Sequence, residues 1–381
     1  MRFRLARDRL QEHLSHYPCV ALLGPRQCGK TTLARSCGGR YYDLEVEPEQ
    51  LRLDLDWQEL TGGHDLIVLD EAQSWPEVFP RLRQAIDADR GRNGRFLILG
   101  SVSPALMREV SESLAGRLSL IELTPFLRRE LPDIDLDRLW LCGGYPDGGV
   151  LAGERFPRWQ LNYVELLGAR DLPAWGLSAR PATTARFMRM LAAVHGQRWN
   201  ASQIARSLGV NYQTVNTYLD TLEGAFLVRR LPPYLPNLGK RLTRSPKLFW
   251  RDTGLLHALL NTHDREALLL QPWVGASWEG FVIEQILGHL GASDVIHEAY
   301  GFRTSDGHEA DLVLELGKAL WAIEVKLTAS PGPADLRRLS GIMSMIGAAR
   351  GMLVCRTPSP ADDGRIHCGH LDSCLELILS K

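Results

Sequence analysis

The sequence lacks the features that mark secreted and membrane-spanning proteins. Its seven cysteines are an odd number scattered along the chain, without any paired C-x-x-C spacing. This usage argues against a disulfide framework or a structural zinc, and favours reduced thiols in a cytosol. The basic N-terminus is not followed by the apolar segment of a signal peptide. No apolar run approaches the roughly 20 residues that a membrane-spanning helix needs. We therefore expect a cytoplasmic protein that has no membrane partner.

An excess of charge of either sign is also missing. The chain has 44 Lys and Arg residues against 45 Asp and Glu, so its net charge is −1. Any contact with nucleic acid must therefore come from a local basic patch and not from the overall field. What is present is an ordinary globular composition, with 45% hydrophobic and 23% charged residues. A chain of 381 residues exceeds what one hydrophobic core usually supports, so its length predicts two or three domains.

Changes of pattern along the chain predict four parts. In the first, short apolar runs alternate with amphipathic stretches, which is typical of an α/β fold with a parallel sheet covered by helices. A Gly- and Pro-rich turn then opens mainly helical sequence, and a later shift leads to mixed helix and strand patterns. The predicted boundaries are an α/β core over 1–125, a helical lid or linker over 126–182, a helix-turn-helix with a wing over 183–262 and a mixed C-terminal domain over 263–381.

The segment Gly24–Thr31 fits the phosphate-loop pattern G-x-x-x-x-G-K-[ST] at every required position. An apolar run precedes it and helical sequence follows it, so backbone N–H groups of the loop and of the helix N-terminus are expected to cradle phosphates. Lys30 would neutralise the β- and γ-phosphates, and the Thr31 hydroxyl would join the Mg²⁺ shell. The residues predicted to bind ATP here are Gly24, Pro25, Arg26, Gln27, Cys28, Gly29, Lys30, Thr31 and Thr32.

A second motif, at 66–71, consists of four apolar residues followed by two carboxylates, which is typical of a buried strand that ends at an active site. Asp70 is expected to hold the Mg²⁺ shell, and Glu71 to polarise the attacking water. The alternative is an acidic pair at a helix N-terminus, where the helix dipole alone favours carboxylates.

Two further residues complete the predicted catalytic set. Ser101 follows the apolar run 96–99, and its small polar side chain is placed to sense the γ-phosphate. Arg117 precedes another apolar run, and an arginine there can reach the γ-phosphate of a neighbouring subunit, which predicts a homo-oligomer. The alternative for Arg117 is a solvated surface side chain. Lys30, Glu71 and Arg117 are thus the predicted catalytic residues of the ATP site.

Residues 202–219 have the spacing of a helix-turn-helix, with Gly209 at the turn and Val215 facing the core. The second helix would expose side chains that can contact base edges or phosphates, namely Asn211, Tyr212, Gln213, Asn216 and Thr217. Basic residues of the wing that follows would supply contacts to phosphates, namely Arg229, Arg230, Lys240, Arg241, Arg244 and Lys247. DNA is therefore the expected partner. The alternatives are a lid or protein-docking unit, and charges that only solvate a face.

Near the C-terminus two alternating runs, 309–315 and 321–326, predict a β-hairpin. Because residues two apart in a strand share a face, Glu324 and Lys326 point the same way, and Asp311 on the paired strand can meet them. This set resembles the PD-(D/E)xK nuclease core, where Asp311, Glu324 and the helical Glu279 would hold Mg²⁺ and Lys326 would act on a water. A salt-bridged surface hairpin explains Glu324 and Lys326 almost as well.

Together these motifs resemble one known group, the AAA-type ATPases of the AAA_14 type that carry a C-terminal DUF4143 domain. The resemblance covers nearly the whole chain. It implies a P-loop AAA-type ATPase core with a helical lid, a winged helix-turn-helix and a C-terminal α/β domain like PD-(D/E)xK nucleases. The residues that carry it, besides those of the ATP site, lie at 112–117, 240–242, 246–250, 252–256, 278–279 and 324–326.

Two functions fit these motifs. The first is an oligomeric enzyme that hydrolyses ATP and acts on DNA, with a metal-dependent nuclease domain. The second is a nucleotide-switched regulator or scaffold whose C-terminal domain recognises nucleic acid without cleaving it. The intact Glu71 and Lys326 favour the first, since a regulator has no need of them.

Overall fold

The structure, a computed structural model, describes residues 2–100, 114–236 and 244–380. The strands within these ranges form three sheets, of five, six and two strands. The N-terminal sheet has the order β2-β3-β4-β1-β5, and all of its pairings are parallel. Its strands are β1 Cys19–Leu23, β2 Arg40–Asp43, β3 Ile67–Asp70, β4 Phe96–Gly100 and β5 Leu118–Glu122.

Helices cover both faces of this sheet, as a parallel sheet requires. They are α1 Ala6–His16, α2 Lys30–Arg35, α3 Glu47–Gly62 and α4 Val78–Ala88. Neighbouring residues of β1 belong to separate cores, since Ala21 packs with Leu53 on one side and Leu22 packs with Leu10 on the other. The predicted α/β core is therefore present. The carboxyl ends of β1 and β3 lie at the same edge, although β4 separates the two strands.

The central part is mainly helical. Its elements are α5 Leu136–Cys142, α6 Arg158–Leu166, a π-helical segment Leu167–Asp171, α7 Leu172–Ala174, α8 Pro181–Ala193, α9 Ala201–Leu208, α10 Tyr212–Gly224, β6 Val228–Leu231, β7 Lys247–Trp250, α11 Thr253–Leu259 and α12 Arg265–Leu269. The strands β6 and β7 pair in antiparallel fashion. One hydrophobic core runs through this part, with Tyr163 and Leu172 packed in the same cluster as Val215 and Trp250. The segments predicted as lid and as helix-turn-helix thus share a core.

The C-terminal part is a mixed sheet with helices. Its elements are α13 Val274–Ala292, β8 His297–Arg303, β9 Glu309–Leu316, β10 Ala319–Val325, α14 Pro333–Ile346, β11 Arg350–Val354, β12 Ala361–Asp362, β13 Ile366–Gly369 and α15 Leu371–Leu379. The order is β12-β13-β11-β10-β9-β8, and the predicted hairpin is the antiparallel pair β9 and β10. The apolar helix α13 packs on this sheet, and its Trp278 also contacts Trp140 of α5, with ring centroids 5.2 Å apart.

The sequence Asp252-Thr253-Gly254 joins α11 to the central helices. The buried Asp252 carboxylate accepts hydrogen bonds from the backbone N–H groups of Leu255, at 3.0 Å, and of Gly144, at 2.8 Å. The Thr253 hydroxyl donates to the Trp140 carbonyl at 2.6 Å. Burial raises the pKa of Asp252 to about 6, against the opposing effect of its N–H donors. This motif therefore serves as a helix cap and a packing joint.

Gly254 generates a prediction about stability. A Cβ at this position would lie 1.9 Å from the Cys142 carbonyl oxygen, so α11 would have to move away from α5. We expect Gly254→Ala to lower the free energy of unfolding by about 1–3 kcal/mol, the usual cost of overpacking. Urea denaturation measures this change.

The control is Gly224→Ala at the end of α10. A Cβ there meets no other heavy atom of the described residues within 4 Å outside its own helix. This control should leave stability unchanged or raise it by up to about 1 kcal/mol, because Ala is the better helix former. Equal destabilisation by both variants would contradict the packing role of Gly254.

Candidate functional site

The loop between β1 and α2 is shaped by two glycines. A Cβ on Gly24 would lie 2.2 Å from the Leu123 carbonyl oxygen, so only glycine allows the loop to pass this close to the chain after β5. Gly29 has a φ of 105°, in the left-handed region that favours glycine. The thiol of the buried Cys28 donates to the Leu123 carbonyl at 3.3 Å, and burial raises its pKa. Cys28 is therefore a packed, unreactive part of the loop.

Lys30 begins α2 and turns back over the loop. Its ammonium donates to the carbonyl oxygens of Gly24 and Pro25, both at 3.0 Å, and the residue is only 6% exposed. Phosphate oxygens are stronger acceptors for an ammonium than neutral carbonyls are. The side chain is thus already positioned where a nucleotide phosphate in the loop would meet it.

Asp70, at the end of β3, is the centre of a hydrogen-bond network beside the loop. Its Oδ2 accepts from the Thr31 hydroxyl and from the Tyr41 hydroxyl, each at 2.6 Å, and Oδ1 accepts from the Glu71 N–H at 3.0 Å. The residue is 5% exposed. A hydroxyl and a carboxylate oxygen side by side are the donors that Mg²⁺ takes at nucleotide sites, so Thr31 and Asp70 fit this ion. Tyr41 is a contact that the sequence did not indicate.

Glu71 follows β3 in a strained conformation. Its φ is 49° and its ψ is 46°, a left-handed combination that is uncommon outside glycine and is concentrated at functional sites. Burial raises the pKa of its carboxyl group, while Lys30 and a hydrogen bond from the Gln73 side chain oppose that rise. Gln73 holds one Glu71 oxygen, and we had not predicted it as a site residue.

A cavity of about 450 Å³ lies against the loop. Its walls include Arg26, Gln27, Thr32 and Glu71, and also Pro146 and Asp147 from the helical segment after α5. This volume falls in the range of cofactor sites. The lid predicted over 126–182 therefore contributes directly to the cavity wall.

Arg26 fixes that lid to the loop. Its guanidinium pairs with Asp171 at 3.0 Å and with Glu45 at 3.1 Å, and its carbonyl accepts from the Tyr163 hydroxyl at 3.1 Å. Asp171 and Tyr163 are more than 130 residues away in sequence, so no local pattern could have identified them.

Arg4 supports the loop from behind. Its guanidinium pairs with Glu130 at 3.1 Å, donates to the Cys28 carbonyl at 2.8 Å and to the Thr124 carbonyl, and lies 4.7 Å from the Phe126 ring centroid. The residue is 5% exposed. A buried arginine with all of these partners holds the phosphate loop in register with the chain that follows β5.

Arg117 lies at the opposite edge of the sheet from the loop. β5 starts level with the first residue of β1, so Arg117 is about one strand length, roughly 16 Å, from the loop of its own chain. Its guanidinium makes two contacts to Asp87, at 2.9 and 3.0 Å. The structure does not bring it to the ATP cavity of the same chain, and its proposed action across a subunit boundary stays a prediction. Ser101 lies outside the described residues.

The predicted helix-turn-helix geometry is present in α9 and α10. Gly209 makes the turn with a φ of 78°, and the Asn211 side chain caps α10 through the Thr214 N–H at 2.7 Å. Three side chains of α10 are exposed as expected, those of Tyr212, Gln213 and Thr217. Asn216 is partly buried, since its Oδ1 accepts from the Trp199 indole N–H at 2.9 Å.

The basic residues predicted to form a DNA-binding wing are largely neutralised within the described part of the chain. Arg229 pairs with Glu284, Arg230 pairs with Glu223 and Asp220, and Lys247 pairs with three carboxylates. Because their charges are compensated internally, the expectation that these three side chains face DNA phosphates stays a prediction that these ion pairs do not favour. Arg244 is exposed, and Lys240 and Arg241 lie outside the described residues.

The C-terminal carboxylates are each matched by an ammonium of the same chain. Lys247 Nζ lies 2.7 Å from Glu279, 2.9 Å from Glu309 and 3.6 Å from Asp311. Lys326 pairs with Glu324 at 2.7 Å, and the Asp311 Oδ2 accepts from a backbone N–H of β10 at 2.9 Å.

Burial and mutual repulsion set the charges of these carboxylates. Burial, and then repulsion from the neighbouring Asp311, raise the pKa values of Glu279 and Glu324 above their usual range, while Lys247 and Lys326 oppose these shifts. Burial lowers the pKa of the Lys247 ammonium, but Glu279, Asp311 and Glu309 outweigh it and the net shift is upward. Among the described residues, no group of three or more His, Cys, Asp and Glu side chains is arranged to hold a metal ion. The predicted metal role of Glu279, Asp311 and Glu324 therefore stays a prediction that this arrangement does not favour.

Three family models match consecutive parts of the chain. An AAA domain matches residues 16–131, a domain of unknown function termed DUF8612 matches 133–266, and a domain of unknown function termed DUF4143 matches 274–370. None of the described helices is long and apolar enough to cross a bilayer.

Two curated proteins are similar over most of the chain. They are the uncharacterized proteins Rv2008c of Mycobacterium tuberculosis and Mb2031c of Mycobacterium bovis, each 43% identical over 86% of this chain and 74% of its own length. Among solved structures, the Walker-type ATPase paby2304 of Pyrococcus abyssi is 17% identical, with a TM-score of 0.48, over 67% of this chain and 94% of its own. At that score the structural likeness carries no conclusion about activity.

Proposed function

We propose that this chain, which belongs to the family of AAA-domain proteins with a C-terminal DUF4143 domain, hydrolyses ATP as a homo-oligomer and acts on DNA. The observation that carries the proposal is that Lys30, Thr31 and Glu71 line one cavity at the carboxyl edge of the parallel sheet, with Asp70 hydrogen-bonded to the Thr31 hydroxyl. ATP binding follows from the AAA domain and from the complete phosphate loop.

The side chains around the phosphate loop have separate roles in ATP hydrolysis. Lys30 neutralises the β- and γ-phosphates, and Thr31 and Asp70 are the residues that would hold Mg²⁺, which supplies positive charge where negative charge develops. Glu71 accepts a hydrogen bond from the attacking water and raises its nucleophilicity. Gln73 keeps the Glu71 carboxylate in place through the hydrogen bond between their side chains.

Substitutions of Lys30 and Glu71 separate binding from turnover. We expect Lys30→Ala to weaken ATP binding by about 100-fold or more, since it removes two charge-assisted contacts. Glu71→Gln should bind ATP as the parent does while its turnover falls by about 10²–10⁴-fold, because only water activation is lost. Equilibrium dialysis with labelled ATP and a phosphate-release assay measure the two effects.

The control for Glu71→Gln is Glu77→Gln, which removes the same charge from an exposed position six residues further on. It should leave turnover unchanged. Parental turnover in Glu71→Gln would contradict the role of Glu71 and, with it, the proposed hydrolysis mechanism.

Arg117 supports the oligomeric part of the proposal. It lies at the sheet edge away from its own loop and is 27% exposed in its side chain, so it is available to an adjacent subunit if its pair with Asp87 opens. An arginine that reaches the γ-phosphate in this way stabilises the transition state without contributing to ground-state binding.

A mixing experiment tests this role. We expect Arg117→Ala to bind ATP normally and to lose about 10³-fold in turnover, and its mixture with Lys30→Ala to recover part of the activity. Recovery requires that one intact site forms between two differently altered subunits. Arg90→Ala, which removes the other arginine paired with Asp87, is the control and should keep full turnover. Turnover that is independent of protein concentration, together with no recovery in the mixture, would contradict the action of Arg117 across a subunit boundary.

The exposed face of α10 supports DNA as the partner. Tyr212 is 54% exposed, and Gln213 and Thr217 lie beside it at the surface, as direct base or phosphate contacts require.

We expect Tyr212→Ala and Gln213→Ala each to weaken duplex binding about tenfold, the loss of one contact of about 1–3 kcal/mol. Fluorescence anisotropy at two salt concentrations measures this. Gln203→Ala on the exposed side of α9 should bind as the parent does, and equal losses in all three would contradict a recognition role for α10.

A second candidate function is a nucleotide-switched regulator whose C-terminal domain does not cleave. The observation that favours it is the ammonium of Lys247 among the carboxylates predicted to hold a metal.

Incubation of the parent protein with Mg²⁺ or Mn²⁺, ATP and duplex, single-stranded or branched DNA distinguishes the regulator from a nuclease. Binding without cutting supports the regulator, and metal-dependent cleavage that Asp311→Ala eliminates supports the nuclease.

A further inference from the structure

We propose that Lys247 is a built-in cation that holds the β6–β7 hairpin on the C-terminal sheet and keeps divalent metal out of the Glu279, Glu309 and Asp311 carboxylates. This role of Lys247 does not depend on ATP hydrolysis or on DNA binding.

The first step is the position of Lys247. It is the first residue of β7, and its side chain, 15% exposed, extends from the hairpin to α13 and β9 of the C-terminal domain. The ammonium lies 2.7 Å from a Glu279 oxygen and 2.9 Å from a Glu309 oxygen, with Asp311 next at 3.6 Å. One side chain thus bridges two parts of the fold and meets three carboxylates.

The second step is the balance of charge. Glu309 has a further partner in Arg303 at 2.9 Å, and Glu324 has Lys326 at 2.7 Å. The charge that these carboxylates need for mutual stability is therefore supplied by the chain. Carboxylates grouped in a buried site repel one another and stay ionised only beside a cation, whether that cation is a metal or an ammonium.

The Lys247 ammonium and a divalent ion would compete for the same carboxylate oxygens. A divalent ion must approach carboxylate oxygens to about 2.0–2.6 Å. The Lys247 ammonium already lies in hydrogen-bond contact with the Glu279 and Glu309 oxygens, so the two cations exclude each other there. Lys247 therefore takes the position that a metal ion would need.

One carboxylate oxygen of the group, the Glu324 Oε2, accepts no hydrogen bond from the ammonium groups. Glu324 is 4% exposed, and its Oε2 has no hydrogen-bond partner among the described residues. Asp311 lies beside it, since the Asp311 Oδ2 accepts a hydrogen bond at 2.9 Å from the backbone N–H of Val325, the residue after Glu324. Glu279 and Asp311 meet at the Lys247 ammonium, so removal of its charge would leave both carboxylates uncompensated, with the free Glu324 oxygen next to Asp311, and a divalent ion would then stabilise them.

The test measures Mn²⁺ bound in the absence of nucleotide. We expect Lys247→Met, which keeps the length and apolar part of the side chain, to bind one Mn²⁺ per chain more than the parent does in isothermal titration. Adding Asp311→Asn to Lys247→Met should remove this extra site. Arg244→Met, which removes one exposed charge from the same hairpin, is the control and should bind as the parent does. The absence of an extra site in a folded Lys247→Met would overturn the proposal.

A second measurement does not need Lys247→Met to fold. In the parent background, Asp311→Asn should leave Mn²⁺ binding unchanged, because the ammonium and not a metal occupies the carboxylates. A loss of bound Mn²⁺ in parental Asp311→Asn would show that metal binds there beside Lys247, and the proposal would be wrong. Neither measurement uses turnover, so a failure of the ATPase proposal would not affect the result.

Discussion

Arg251 makes the ion pairs on which the arrangement of the three parts depends. Its side chain is 11% exposed and contacts Glu284 of α13 at 3.0 Å and Glu122 at the end of β5, while Glu284 also accepts from Arg229 of β6. An arginine buried without partners costs several kcal/mol, so each of these carboxylates must stay in place for the fold to be stable. This one guanidinium therefore contacts both the AAA sheet and the C-terminal domain directly after the hairpin strand β7, and it acts together with the Lys247 contacts between the hairpin and the C-terminal domain.

This interaction connects the ATP cavity to the C-terminal carboxylates by a short physical path. The residues directly after Glu122 contact the phosphate loop, since the Leu123 carbonyl accepts from Cys28. Arg251 follows directly on β7, and β7 begins with Lys247 among its carboxylates. Arg251 thus joins the end of β5 to the strand that carries Lys247, and to Glu284 of α13, through contacts that are already present.

Local motifs allowed much of this to be predicted from the sequence. The phosphate loop, the strand ending in Asp70 and the β9–β10 hairpin each depend on a few consecutive residues with a fixed spacing, so their elements are where the patterns indicated. The partners that control them were not predictable. Arg4 reaches the loop from another segment and Asp171 reaches it from 145 residues away, and neither contact leaves any trace in local spacing. The ion pairs of the basic hairpin residues were not predictable for the same reason, since Arg229 and Lys247 meet carboxylates of a distant helix.

The folded structure gives the C-terminal carboxylates a second explanation besides metal binding. In the sequence, the intact Glu71 and Lys326 favour an enzyme, since a regulator has no need of them, and Glu279, Asp311 and Glu324 are predicted to hold a metal ion. In the folded chain, Glu279 and Asp311 are needed to compensate the charge of Lys247, and burial of that ammonium without them would be strongly unfavourable. Carboxylates that stabilise a buried lysine have a structural role whether or not they also take part in catalysis. The D…E-x-K pattern alone therefore does not distinguish a catalytic role from a structural one. The two roles differ in the cation that the carboxylates bind, a metal ion in the first and the Lys247 ammonium in the second.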